Sequence, residues 1–120
     1  AQAVRSDLAP RDRVLSVRVM ERRKGLKGEA REAFKQAVKL ANSDQDASCE
    51  AFAALYAQYP AQSSVVYNHG LCVERGGDLD GARALYVAAL EVDPRRDYPT
   101  QGLARIADTQ RACPSGAGLA

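Results

Sequence analysis

The chain predicts an all-α fold: a short solenoid of two helical hairpins plus a C-terminal capping helix, preceded by one short N-terminal strand. Three observations carry this reading. Apolar residues recur at helical spacing in consecutive stretches. Capping and turn residues fall between those stretches. Two prolines, Pro60 and Pro94, close the two hairpins at corresponding places. The 120 residues are one domain's worth, and 46% apolar composition suffices for a core. The sequence holds no apolar run of about 18 residues and no secretory signal pattern.

Residues 1–13 are polar, contain Pro10 and read as a linker. A chain that starts AQAV without Met is expected to be a processed form or an excised piece. In RVLSVRVME, Leu15, Val17 and Val19 alternate with Ser16 and Arg18, which predicts a short strand. A lone strand needs a partner, so residues 1–25 are assigned to the end of a missing domain, or the strand pairs with another copy. The competing reading, a helix continuing through MERRKGLKG, is interrupted by Gly25 and Gly28.

The helical domain is assigned to residues 26–112. Its first helix, about 26–41, carries Ala30, Ala33, Phe34, Ala37, Val38 and Ala41 at helical spacing. NSDQDAS supplies a turn and a cap, and a second helix over about 47–58 turns Phe52 and Leu55 inward before Tyr59-Pro60 closes it. The central hairpin pairs helices over about 63–76 and 79–92. Gly70 and Ala82 let them approach, Tyr86 and Leu90 supply bulk, Gly77 stops the first, Asp78 caps the second and Pro94 ends it. The last helix, about 98–112, is the cap, and CPSGAGLA over 113–120 is expected to be a disordered tail.

The segment SSVVYNHGLCVERGGDLDGARALYVAALEVDP resembles a tetratricopeptide repeat (TPR), on Val66, Tyr67, Gly70, Gly77, Asp78, Ala82, Tyr86, Ala89, Leu90 and Pro94. Pro60 and Pro94 are also spaced by the family's repeat length, about 34 residues. His69 stands where members place a large apolar residue. Subtracting 34 maps Tyr86 onto Phe52, but packing of the first helix requires an offset of 36, onto Ala30, Ala33, Phe34 and Ala37, which implies a hairpin connection two residues longer than standard. Adding 34 carries His69, Gly70 and Val73 onto Leu103, Ala104 and Ala107 of the cap.

The resemblance implies a platform that binds a protein or peptide in a concave groove lined by the first helix of each repeat. Carried over, the groove positions are Tyr67, Asn68, Leu71 and Arg75, with Arg31, Glu32, Lys35 and Lys39 on the first helix and Gln101, Arg105 and Asp108 on the cap. Asn68 holds the place where many members have an amide that bonds ligand backbone. The five cations make this face basic and suited to an acidic segment or a free carboxylate. A structural role, in which the repeats pack against another domain or subunit, is the second reading; whether the groove is empty or filled by the N-terminal segment separates the two. Similar repeats occur attached to bacterial envelope proteins, and the strand-then-repeat order resembles the tail end of such a protein.

Catalysis is not expected. His69 and Cys72 lie three apart on one helix, as a thiolate and its base would, but there is no third orienting group and no oxyanion site. One His and no C-x-x-C spacing leave no zinc cluster, and no cofactor is expected. Gly76 and Gly77 lack the Lys of a phosphate loop. Asp78 and Asp80 read as helix caps and first-turn acids. Net charge is +2, with +6 over residues 1–40 and −4 over the remainder. The cluster Arg22, Arg23, Lys24 and Lys27 lacks interleaved aromatics, so it reads as a solvated face rather than a nucleic-acid site.

Cys49 lies near the start of the second helix and Cys72 well along the third. A turn centred near residue 61 brings them level on antiparallel helices, placed for a disulfide if their Cα atoms come within about 7 Å; the alternative is two buried thiols. The bond implies an oxidising compartment, most simply a periplasmic or cell-envelope location against a cytoplasmic alternative, and leaves Cys113 as the free thiol.

Overall fold

The computed structural model of the chain describes residues 15–112. The linker expected over residues 1–13, the tail expected over 113–120 and Cys113 lie outside the described residues. Five helices follow a short helical turn at residues 15–18: α1 (Gly28–Ser43), α2 (Gln45–Gln58), α3 (Ser63–Arg75), α4 (Leu79–Val92) and α5 (Asp97–Ala112). Each packs on the next, with α3 also touching α5. The described residues are all helical with no strand, a short repeat-like stack.

The repeat is most literal in α2 and α4. Asp44 and Asp78, related by the same offset as Pro60 and Pro94, cap them alike: Asp44 Oδ1 accepts the Ala47 N–H at 3.1 Å, and Asp78 Oδ1 accepts the Gly81 N–H at 2.9 Å. The buried faces are Ser48, Phe52 and Leu55 on α2 and Ala82, Tyr86 and Ala89 on α4, again at that offset. The exits match as well. The Tyr59 and Asp93 N–H groups donate to Leu55 and Ala89 carbonyls at 2.7 and 3.0 Å, and Gln62 and Arg96 close the proline turns at 3.2 and 3.3 Å.

The central turn is a Schellman closure. Gly77 donates to the Glu74 carbonyl at 2.9 Å and Asp78 to that of Val73 at 3.2 Å, with Gly77 at φ 96°, where a side chain would be strained. The first hairpin has no room for such a turn. Asp44 alone connects α1 to α2, serving as C-cap of one and N-cap of the other. The longer connection expected there is therefore not a loop; the added residues lengthen α1, which has 16 against 13 in α3. Ser48 takes the place of Ala82, and its hydroxyl donates to the Ala37 carbonyl at 2.7 Å, which satisfies a buried polar group.

Other expectations are corrected by packing. Ala33 is exposed, and the buried face of α1 is Phe34, Ala37 and Ala41. Ala104 and Ala107 are also exposed; α5 turns Pro99, Gly102 and Ile106 inward. Tyr86 decides this register. A Cβ on Gly102 would stand 2.6 Å from the Tyr86 ring, and one on Gly70 would stand 2.9 Å from its other edge, so the ring lies between two glycines. The predicted strand is absent among the described residues: 15–18 are helical, with the Val19 N–H donating to the Leu15 carbonyl at 3.2 Å.

Candidate functional site

The N-terminal segment 15–27 lies against α3, and its side chains belong to the domain core. Leu15, Met20 and Leu26 are buried, spaced along a run of charged residues that remain largely outside. Leu15 and Met20 join Tyr67, Leu71, Tyr86 and Ile106 in one cluster; Leu26 joins Phe34, Phe52 and Val65 in the other.

The central grip is made by Asn68. Its Oδ1 accepts the Met20 N–H at 2.8 Å and its Nδ2 donates to the Met20 carbonyl at 2.9 Å. Asn68 is fully buried, and this pairing satisfies donors and acceptors on both sides. An amide used in this way reads extended backbone irrespective of side chain. At one end Gln101 Oε1 accepts from Arg18 Nη1 at 3.2 Å; at the other, Gln62 Nε2 donates to the Lys24 carbonyl at 3.0 Å. Gln62 also caps α3 by accepting the Val65 N–H at 2.8 Å.

Three of the groove positions, Tyr67, Asn68 and Leu71, are thus brought together beneath the segment rather than left open. The expected basic lining is largely neutralised by the chain itself. Arg105 makes a two-pronged bond to Glu74, Nε to Oε2 at 2.9 Å and Nη2 to Oε1 at 2.8 Å, while the Tyr86 hydroxyl donates to the same Oε1 at 2.6 Å. Burial holds the Tyr67 and Tyr86 phenols well above their ordinary range, reinforced at Tyr86 by its bond to Glu74. Arg75 pairs with Asp46 at 3.3 Å and Lys35 with Glu32 at 3.6 Å. Arg31, Lys39 and Asp108 are exposed at the surface.

Cys49 and Cys72 are joined as a disulfide, with Cα atoms 5.5 Å apart, tying α2 to α3. Cys72 therefore offers no thiolate to His69 in this form. His69 is half-buried and stacks on Tyr56, ring centres 4.7 Å apart. Its flat ring and the neighbouring aromatic fill the place expected to hold a large apolar residue, and burial lowers its pKa below the ordinary value of 6.5. Among the described residues there is no group of three or more His, Cys, Asp or Glu side chains placed to hold a metal, and no helix long and apolar enough to cross a membrane.

The sequence raises the segment as a possible occupant of the groove, but Val17 and Val19 imitate strand alternation and so point to a strand of another domain. The signal that points to it is Leu15, Met20 and Leu26 separated by the charged run, combined with a buried-type Asn on the facing helix. No family model, no curated protein and no solved structure matches the chain.

Proposed function

We propose that this is a non-catalytic interaction module of the TPR kind with a structural, assembly role: its groove is committed to its own N-terminal segment, and partners meet the other faces of the stack. The observation that carries this reading is the two-way bond between Asn68 and the Met20 backbone, set over buried Leu15, Met20 and Leu26. An open peptide receptor would leave that amide for its ligand. The reading in which the groove takes a partner peptide survives as exchange: the same amide would accept any extended backbone that displaces residues 15–27. A periplasmic or cell-envelope location is part of the proposal and is supported by the Cys49–Cys72 disulfide, which persists in oxidising compartments.

The test is competition in trans. A synthetic peptide spanning residues 15–27, added in excess to the isotope-labelled full chain, is expected to leave the Asn68 side-chain amide resonances unmoved. Saturable shifts of those resonances would mean that the groove exchanges its occupant, and the peptide-receptor reading would replace the structural one.

A further inference from the structure

The two equivalent proline turns, around Pro60 and Pro94, line one cleft of about 700 Å³, and Met20, Arg22, Lys24 and Gly25 of the N-terminal segment form its third wall. It adjoins the Asn68 grip, sharing Met20 with it, and its volume lies within the ordinary range of ligand pockets. Its charge is one-sided. Arg22 and Lys24 enter from the segment, Arg95 and Arg96 from the second turn, and Asp93 is the one acidic residue lining it among the described residues. Asp93 is shared by Arg95 and Arg96, at 3.3 and 2.9 Å. Arg22 and Lys24 are exposed and enter no ion pair among the described residues.

The cations surround an apolar hollow. Met20, Pro60, Pro94 and Val92 line it, and Val92 is a large apolar side chain left 44% exposed. Ser63, in the first turn of α3, also lines it, and its Oγ is buried without a hydrogen-bond partner among the described residues. Four cations around an apolar floor complement a segment that carries carboxylates beside an apolar residue. A nucleic acid asks for a longer basic track with stacking aromatics.

We infer that this cleft is a docking site for an acidic peptide segment of a partner protein, with an apolar residue seated between the proline turns and carboxylates held by Arg22, Lys24 and Arg95.

The experiment uses the full, disulfide-intact chain and a short fluorescent peptide alternating Glu and Leu, read by anisotropy. Saturable binding is expected at low salt, weakening as ionic strength rises from about 50 to about 200 mM. The double variant Arg22→Glu, Arg95→Glu should weaken binding at least tenfold, on the order of the coupling seen for close interfacial charges. The milder pair Arg22→Gln, Arg95→Gln should weaken it in the same direction and serves if the reversal disturbs folding, which the melting curve reports. The control Lys27→Glu, Arg111→Glu makes the same charge change outside the cleft and should leave binding unchanged. Absent saturable binding, undiminished binding by both Arg22/Arg95 pairs, or equal loss in the control would overturn the site. Displacement of the peptide by a single-stranded oligonucleotide that binds more tightly would overturn the partner class.

Discussion

The two hairpins share their second helices almost place for place and differ in their first. α2 and α4 have the same cap, the same three inward positions and the same exit bonds, all related by one constant offset. α1 buries Phe34, Ala37 and Ala41, whereas α3 buries seven residues, from Ser64 to Leu71. The cause is position in the stack. α1 is an end helix packed on α2, while α3 is enclosed by α2, α4, α5 and the N-terminal segment. Within that enclosure the fully buried Asn68 side chain is satisfied in both directions by the Met20 backbone, which offsets the cost of burying its amide.

The largest way to break this contrast is Asn68→Ala. It removes two buried bonds and strands the Met20 N–H and carbonyl, at a cost of about 4 kcal/mol if each orphaned group costs about 2. Urea unfolding would read the loss, and backbone hydrogen exchange should rise first in residues 19–21. A loss under about 1 kcal/mol would mean that the Asn68 bonds contribute little to docking of the segment.

Next is the bridge between the hairpins. Replacing Cys49 and Cys72 with Ser, or reducing the bond, should cost about 3 kcal/mol for a loop with a sequence separation of 23. Intact mass with alkylation, with and without reductant, checks that the bond is present: two thiols should become modifiable only after reduction. Ready modification of both in the native, unreduced chain would remove the support for an oxidising compartment.

The third concerns Tyr86. Gly→Ala within a helix ordinarily gains stability, by up to about 1 kcal/mol. Gly102→Ala is expected to reverse the sign and cost about 2 kcal/mol, because the added methyl meets one edge of a ring whose other edge is already held by Gly70. A stabilised Gly102→Ala protein, by thermal melting, would show that the α4–α5 contact yields. The same contact explains a limit of the sequence. Helix boundaries, the repeat relation of α2 to α4 and the level placement of the cysteines are local or follow from one turn, so they were legible. The inward face of α5 depends on where a ring from another helix lands, and a repeat offset carried past Pro94 put Ala104 and Ala107 there instead of Gly102 and Ile106. Residues 15–27 were harder still. Their helical turn and irregular stretch are held by Asn68, Gln62 and Gln101, all far along the chain from the groups they hold.

A smaller effect tests whether the second helices are truly equivalent. Asp44→Ala and Asp78→Ala each remove one side-chain cap and should each cost about 1 kcal/mol. Asp44 also serves as the whole connection between α1 and α2, whereas Asp78 follows a glycine closure. If Asp44→Ala costs markedly more by urea unfolding, the one-residue turn depends on its side chain and the likeness ends at the cap.

The smallest expected effect is a pH dependence arising at His69, where the second hairpin meets Tyr56 of the first. His69 stacks on Tyr56 with Nδ1 buried and without a hydrogen-bond partner among the described residues, and burial lowers its pKa from 6.5. The folded state then binds fewer protons than the unfolded state between the lowered value and 6.5, so stability rises with pH through that window. The contribution is complete above the unfolded value and is lost as pH falls through the folded one. Ala33, the corresponding place in the first hairpin, is exposed and carries no titrating group. Thermal melts from about pH 7 down to about pH 5.5, above the range where ordinary carboxylates titrate, should show a decline in the native chain. His69→Phe keeps an aromatic ring against Tyr56 and removes the proton, so its melting temperature should be flat across the same range. An equal decline in His69→Phe would assign the titration to another group and leave the imidazole as packing alone.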